Sequence, residues 1–338
     1  MLGIFSLVSQ LLGLVRDRSL ASLLGPSQSL DIYYTAFRVP DFLFISVASL
    51  ASITVLLPFL ASKMQEENGE QKTRIFFSHV FSAFLFLLVG LSVVLFLLMG
   101  KLAPLLAPGF DAEALAQLVS VSRILLLSPI LLGLSNMLGS ITQLHHKFFV
   151  YALSPVFYNL GIIFGIVVLF PRYGIQGIAI GVILGAVMHM AIQLPTIITH
   201  RFLPRITFSV KWRDIKGIVM LSLPRTLGLS LSSLTTLVLI SFMSKLSAGS
   251  ISIFNFAYNL QTVPVGIIGI SYAVASFPTL VKSYAKDKAL YIDHLITASR
   301  AILFWSIPFA VVFITTRINL HATPDTTVVP TPLRCTYS

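Results

Sequence analysis

Nine ionisable side chains fall inside stretches that are otherwise apolar. They are Arg16, Asp17 and Arg18, then Asp31, Arg38 and Asp41, and singly Arg123, Arg225 and Arg300. A charge at the centre of a bilayer costs about 2.5–3.5 kcal/mol on insertion scales, so each needs a partner, a water-filled cavity or a functional reason to be there. Arginines outnumber acids in this set, and a guanidinium is well suited to phosphate. No catalytic or metal-ligating pattern competes with that chemistry. His145 and His146 are adjacent and lack the i, i+4 spacing of a helical metal pair. His79 and His189 stand alone and are expected to be hydrogen-bonded structural residues. Cys335 is the one cysteine, which excludes a disulfide framework and a cysteine metal site. No glycine-rich phosphate loop joins a strand to a helix, so any transport runs on an ion gradient, a membrane potential or the substrate's own gradient, without a cofactor.

Depth separates the candidates. Arg16 and Asp17 lie about 15–20 Å along a helix that rises 1.5 Å per residue, too deep for easy snorkelling. Neighbouring residues point about 100° apart, so the two are expected to pair poorly with each other. Each then either braces the fold through a salt bridge to another helix or lines a cavity. Arg38 lies about 10 Å below the outer face, where it either snorkels or faces inward. Arg225 follows Pro224, which frees a carbonyl one turn earlier; a bend there could open toward a cavity, or Arg225 could brace a lobe. Arg123 and Arg300 are nearer span ends and are expected to snorkel. Asn259 and Gln261 face as Arg38 does if the internal repeat described below holds.

The scaffold that must position these residues is a membrane one. Of 338 residues 56% are apolar and 10% charged, against about 25% charged in soluble domains. So much apolar surface cannot be hidden inside a water-facing sphere. Nine candidate spans follow, at 3–24, 32–61, 75–99, 117–142, 149–170, 175–199, 215–243, 250–279 and 293–315. The loops after spans two, four, six and eight hold twelve Lys and Arg residues; those after spans one, three, five and seven hold Lys101, Arg172 and Lys245. The bias places the N-terminus and the basic loops in the cytoplasm. It also accounts for the net charge of +11 without nucleic acid.

Asp31 to Lys63 and Ser252 to Lys282 resemble each other. Both run through Ala-aromatic-polar-aliphatic (Ala36-Phe37-Arg38-Val39, Ala257-Tyr258-Asn259-Leu260) to a proline, Pro58 or Pro278, and a basic end. Both begin outside and end inside, so this is a parallel repeat. It gives an N-terminal lobe of six helices over 1–200, a basic linker at 201–214, and three helices of a second lobe over 215–315. Residues 316–338, rich in Pro and Thr, are expected to be non-helical. The repeat calls for three more helices, so the sequence is expected to be truncated or shifted in frame after the ninth span.

Ser9-Gln10-Leu11-Leu12-Gly13-Leu14-Val15-Arg16-Asp17 resembles the opening signature of the MurJ (MviN) lipid II flippases. So do Asp31, Ala36-Phe37-Arg38-Val39-Pro40, Leu57-Pro58, Ser154-Pro155 to Asn159, Leu227-Gly228-Leu229-Ser230 and the Ser250 to Pro278 stretch. The likeness covers about 310 residues in order and spacing. It implies an all-α fold of the multidrug/oligosaccharidyl-lipid/polysaccharide exporter superfamily in the bacterial inner membrane. It also implies flipping of the lipid-linked peptidoglycan precursor, lipid II, by alternating access. A cationic cavity holding the headgroup would draw on Arg16, Asp17, Arg38, Arg225 and Asn259, with Asp31, Pro40 and Pro224 structural or gating. The partners implied are a lipid-linked glycan and membrane lipids, with the chain acting as a monomer.

The chain departs from the family pattern at Gln10, where Arg is usual, at Phe44, Ile45 and Ser49, where an Arg pair and a Glu are usual, and at Tyr258-Asn259, where Asp-Arg is usual. Arg225 is not a usual family position. Two rivals follow: an exporter of another lipid-linked oligosaccharide or polar lipid, and a non-transporting gene fragment.

Overall fold

The structure, a computed structural model, describes residues 2–48, 50, 52–209, 211–270, 272, 276, 279–280, 283 and 287–322. Among these, every regular element is helical. The chain divides into two compact units, Met1–Asn255 and Phe256–Ser338. The first opens with α1 (Leu2–Leu24), α2 (Gln28–Ala36), α3 (Arg38–Leu43) and α4 (Ile53–Met64). Then come α5 (Gly69–Leu106), α6 (Ala112–Leu125), α7 (Leu127–Leu144) and α8 (Phe148–Phe164). It closes with α9 (Phe170–Tyr173), α10 (Ile175–Ala191), α11 (Leu194–Thr199), α12 (Trp212–Met243) and the start of α13 (Ser250–Pro264). The second unit holds the rest of α13 and α14 (Lys288–Ala322).

Among the described residues, six stretches are long and apolar enough to cross a membrane: Gly69–Leu106, Ala112–Leu144, Phe148–Tyr173, Ile175–Thr199, Asp214–Met243 and Lys288–Val312. They coincide with expected spans three to seven and nine. The other three expected spans are helical for physical reasons that also set them apart. α1 is long enough but carries Arg16, Asp17 and Arg18 within a few residues. Expected span two is broken into α2, α3, a π-helical turn at Phe44–Ala48 and α4, with Ser52 extended at the last break. Expected span eight is α13 followed by a π-helical turn at Val265–Ile270, after which it runs largely outside the described residues. α14 runs on past the expected end at 315 to Ala322; the remainder of the tail lies outside the described residues.

Local signals set the boundaries. The Ser27 side chain accepts from Leu30 N–H at 3.4 Å to start α2, and Asp111 accepts from Ala114 N–H at 2.8 Å to start α6, each satisfying a donor with no partner inside the helix. At the start of α5, a Cβ on Gly69 would stand 2.2 Å from the carbonyl oxygen of Met64, so only glycine fits that hairpin.

The tightest seam runs between α8 with its π-helical continuation (Gly165–Leu169) and α10. A Cβ on Gly161 would lie 2.3 Å from Gly185 Cα, one on Gly165 2.6 Å from Gly181 Cα, and one on Gly177 2.4 Å from Leu169 O. Backbone meets backbone along Gly161-x3-Gly165 and Gly177-x3-Gly181-x3-Gly185, the small-residue packing that stands in for the hydrophobic effect inside lipid.

Candidate functional site

Arg16 and Asp17 sit about 20 Å along α1. They do pair with each other, against the expectation from helical geometry. The Arg16 side chain is long enough to fold back over the next residue, so Nε and Nη2 both reach Asp17 Oδ1, at 3.0 and 2.9 Å. Nη1 reaches across to Asn159 Oδ1 on α8 at 3.5 Å. Asn159 in turn donates to Ser9 O at 3.3 Å, Ser9 Oγ at 3.2 Å and Pro155 O at 3.1 Å. One buried amide thus ties α1 to α8 and holds the guanidinium. The Arg16 side chain is still 26% exposed and that of Asp17 16%. Asp41 on α3 is exposed. Tyr33, Tyr34 and Tyr158 lie within the field of Arg16.

Asp31 is buried. Its carboxylate accepts from Gly249 N–H and Ser252 N–H, each at 2.7 Å, and from the Ser252 hydroxyl. It therefore caps the N-terminus of α13, where backbone donors and the helix dipole both favour an anion. The contact joins the first residues of the two sequence repeats, 221 positions apart, and the π-helical turns at Phe44 and Val265 begin at the same separation. Two turns inward, Arg38 donates to Asn255. Asn259 lies half-buried on α13 in the second unit. Pro40 is the third residue of α3 and buried. Its missing N–H would have found no partner inside the helix anyway.

Pro224 lies inside α12, which continues through it. Ser222 nearby donates to Leu50 O at 2.7 Å and to Ile218 O at 2.8 Å, and the hydroxyls of Ser46 and Ser230 are 3.0 Å apart. Arg225 is exposed and donates to Thr54 Oγ1 at 2.7 Å. Arg123 donates to Phe96 O at 3.2 Å and lies over the Phe96 ring at 4.8 Å, rather than simply reaching for the interface.

His79 and His189 are hydrogen-bonded, as expected, and their partners come from the fold. His79 Nδ1 is 2.9 Å from Asp214 Oδ2, linking α5 to the first turn of α12. His189 Nδ1 is 2.7 Å from Ser135 Oγ, which also accepts from Gln193 Nε2 at 2.7 Å. His145 stacks on His200 at 4.0 Å, and burial, reinforced by His200, lowers its basicity. Among the described residues no three His, Cys, Asp or Glu side chains converge as a metal site.

The all-helical scaffold, with six stretches among the described residues long and apolar enough to cross a membrane, has the fold of solved transporters of the MOP superfamily. The chain superposes on an inward-facing multidrug resistance MATE family transporter of that superfamily with a TM-score of 0.67 at 20% identity, covering 87% of this chain and 66% of that one. It superposes on "Lipid II flippase MurJ, inward closed conformation" with a TM-score of 0.74 at 25% identity, covering 91% of this chain and 63% of that one. Residues 20–320 match the family described as "Lipid II flippase MurJ", and the chain belongs to that family, one of flippases rather than enzymes. A probable lipid II flippase MurJ of Buchnera aphidicola is 28% identical over 318 residues, 92% of this chain and 61% of that protein. The chain spans about three-fifths of the length of the curated relatives it matches.

Proposed function

We propose that the chain moves lipid-linked peptidoglycan precursor between the leaflets of the bacterial inner membrane by alternating access. The observation that carries this is Arg16, a guanidinium about 20 Å into a bilayer-length helix, enclosed by protein and still accessible. Asp17 and Asn159 fix its orientation, so its remaining donors are pre-set for a pyrophosphate. Arg38 contributes from α3 and Asp31 holds the start of α13, while Arg225 and Asn259 join the headgroup site as the lobes rock. The chain works as a monomer, crosses the membrane nine times with its N-terminus in the cytoplasm, and draws on an ion gradient or the membrane potential.

Rescue of a bacterium depleted of its own flippase tests the activity. Growth is expected with the chain, or with the chain extended to the length of its relatives. Arg16→Ala should abolish rescue at equal membrane abundance, with Arg16→Lys partly restoring it; full rescue by Arg16→Ala would overturn the role. Topology is tested in a Cys335→Ser background with a membrane-impermeant maleimide. Lys245→Cys should be labelled in intact cells and Lys72→Cys should not. A second reading, export of another lipid-linked oligosaccharide, is favoured by the apolar Phe44 and Ile45 where the family pattern is charged. It predicts failed peptidoglycan rescue together with rescue of a strain lacking such an exporter.

A further inference from the structure

A cavity of about 580 Å³ lies at the basic end of the first unit, between the first turns of α5 and the chain from Arg201 to Thr207. The guanidinium-bearing residues Arg74, Arg201 and Arg205 line it, with Ser78, Ile75 and Leu203. No carboxylate is among the described residues that line it. Of the nearby acids, Glu70 pairs with Arg74 and Asp214 with His79. Arg74 and His79 both line the cavity, so the uncompensated charge is that of Arg201 and Arg205.

The cavity is held in shape. Arg205 N–H donates to Ser78 Oγ at 3.1 Å and Thr207 N–H to Ser82 Oγ at 3.0 Å, which fastens the extended segment along α5. Arg201 closes α11 in a left-handed conformation, φ 57°. Its N–H meets Ile198 O at 3.0 Å and Phe202 N–H meets Ile197 O at 2.9 Å. That pair of bonds is a Schellman closure, whose left-handed position usually falls to glycine because a Cβ is crowded there. The chain keeps an arginine where glycine would be unstrained, and strain of this kind gathers at ligand clamps.

The rim indicates what the arginines meet. Leu203 and Ile206 are each 61% exposed, and Phe208 is 88% exposed while stacking on Phe86 at 5.0 Å. Exposed apolar and aromatic side chains beside a cationic cleft are the pattern of a membrane interface. A free phosphate would have no use for that rim, whereas an amphiphile would use both parts. We propose that this cleft binds the phosphate of an anionic phospholipid in the leaflet facing the basic loops, its acyl chains leaving over Leu203, Ile206 and Phe208. The site shares none of its lining residues with the Arg16–Asp17–Asn159 cluster.

The 338-residue chain, purified in a neutral detergent, is titrated with phosphatidylglycerol, phosphatidylcholine or sodium phosphate and read by native mass spectrometry and thermal unfolding. Phosphatidylglycerol should bind and raise the midpoint, with phosphatidylcholine at least about tenfold weaker. Arg201→Gly should leave the lipid-free midpoint unchanged or higher, because the turn gains its usual residue. It should nonetheless weaken phosphatidylglycerol by about fivefold, and Arg201→Gly with Arg205→Gln by about thirtyfold. A purely structural arginine could not give those opposite signs. Undiminished phosphatidylglycerol binding in Arg201→Gly, equal binding of phosphatidylcholine, or displacement by equimolar phosphate would each overturn the lipid site. Should the double variant fail to fold, Arg201→Gly decides alone.

Discussion

The α8–α10 seam and the junction where α2 and α3 meet the start of α13 are both buried, yet they are held in opposite ways. The seam has no polar side chain at its centre; glycine backbones touch, and many weak contacts are made with no rotamer to freeze. The junction depends on a few directed bonds, those of Asp31 to Gly249 and Ser252 and of Arg38 to Asn255. Close backbone contact is lost all at once or not at all. A handful of hydrogen bonds can be exchanged for water or for a ligand's oxygens and then remade. The seam suits a contact that stays closed, and the junction one that can open and re-form.

The sharpest way to break this contrast is Gly181→Leu. Its Cβ alone would stand 2.4 Å from Gly165 Cα, and a destabilisation of about 3 kcal/mol or more is expected. It should appear as loss of monodisperse protein on fluorescence-detected gel filtration. Asp31→Ala comes next, at about 1.5–3 kcal/mol for removing a charged acceptor from buried donors. It should lower the thermal midpoint while leaving the seam intact, which crosslinking of paired cysteines across α8 and α10 would check. Arg225→Ala should change the midpoint by less than about 0.5 kcal/mol equivalent, since the residue is exposed and has one hydroxyl partner; a large loss would extend the junction to α12. The smallest effect concerns His145. Its folded-state basicity is lowered, so the unfolded chain takes up the proton first as pH falls below the ordinary histidine value of about 6.5. Stability from this group is complete above that pH and lost as pH falls toward the folded value. The midpoint difference between His145→Gln and the parent chain should narrow from pH 7.5 to 5.5.

Much of this was legible in the residues. The helical class follows from apolarity, the repeat start at Asp31 and Ser252 from self-similarity of the residues, and the choice of Arg16, Asp17 and Arg38 as candidates from charge set against apolarity. The pairing of Arg16 with Asp17 did not follow, because backbone geometry fixes where Cβ points and not where a long side chain ends. The seam had a signal, three glycines at i, i+4 and i+8 in α10 facing two in α8, which is meaningful only once the two helices are known to be neighbours. His79 with Asp214 had none: the two are 135 positions apart, and nothing local marks either as the other's partner.

The Asp31 cap also imposes a schedule. Its donors are made 221 residues after it, and at about 5–20 residues per second of synthesis that is roughly 10–45 s. For that interval the chain carries, at the edge of its second hydrophobic stretch, an acid whose partners do not yet exist. The seam, by contrast, closes within a single hairpin. Assembly therefore runs from a half that can set early to a contact that must wait for the ribosome.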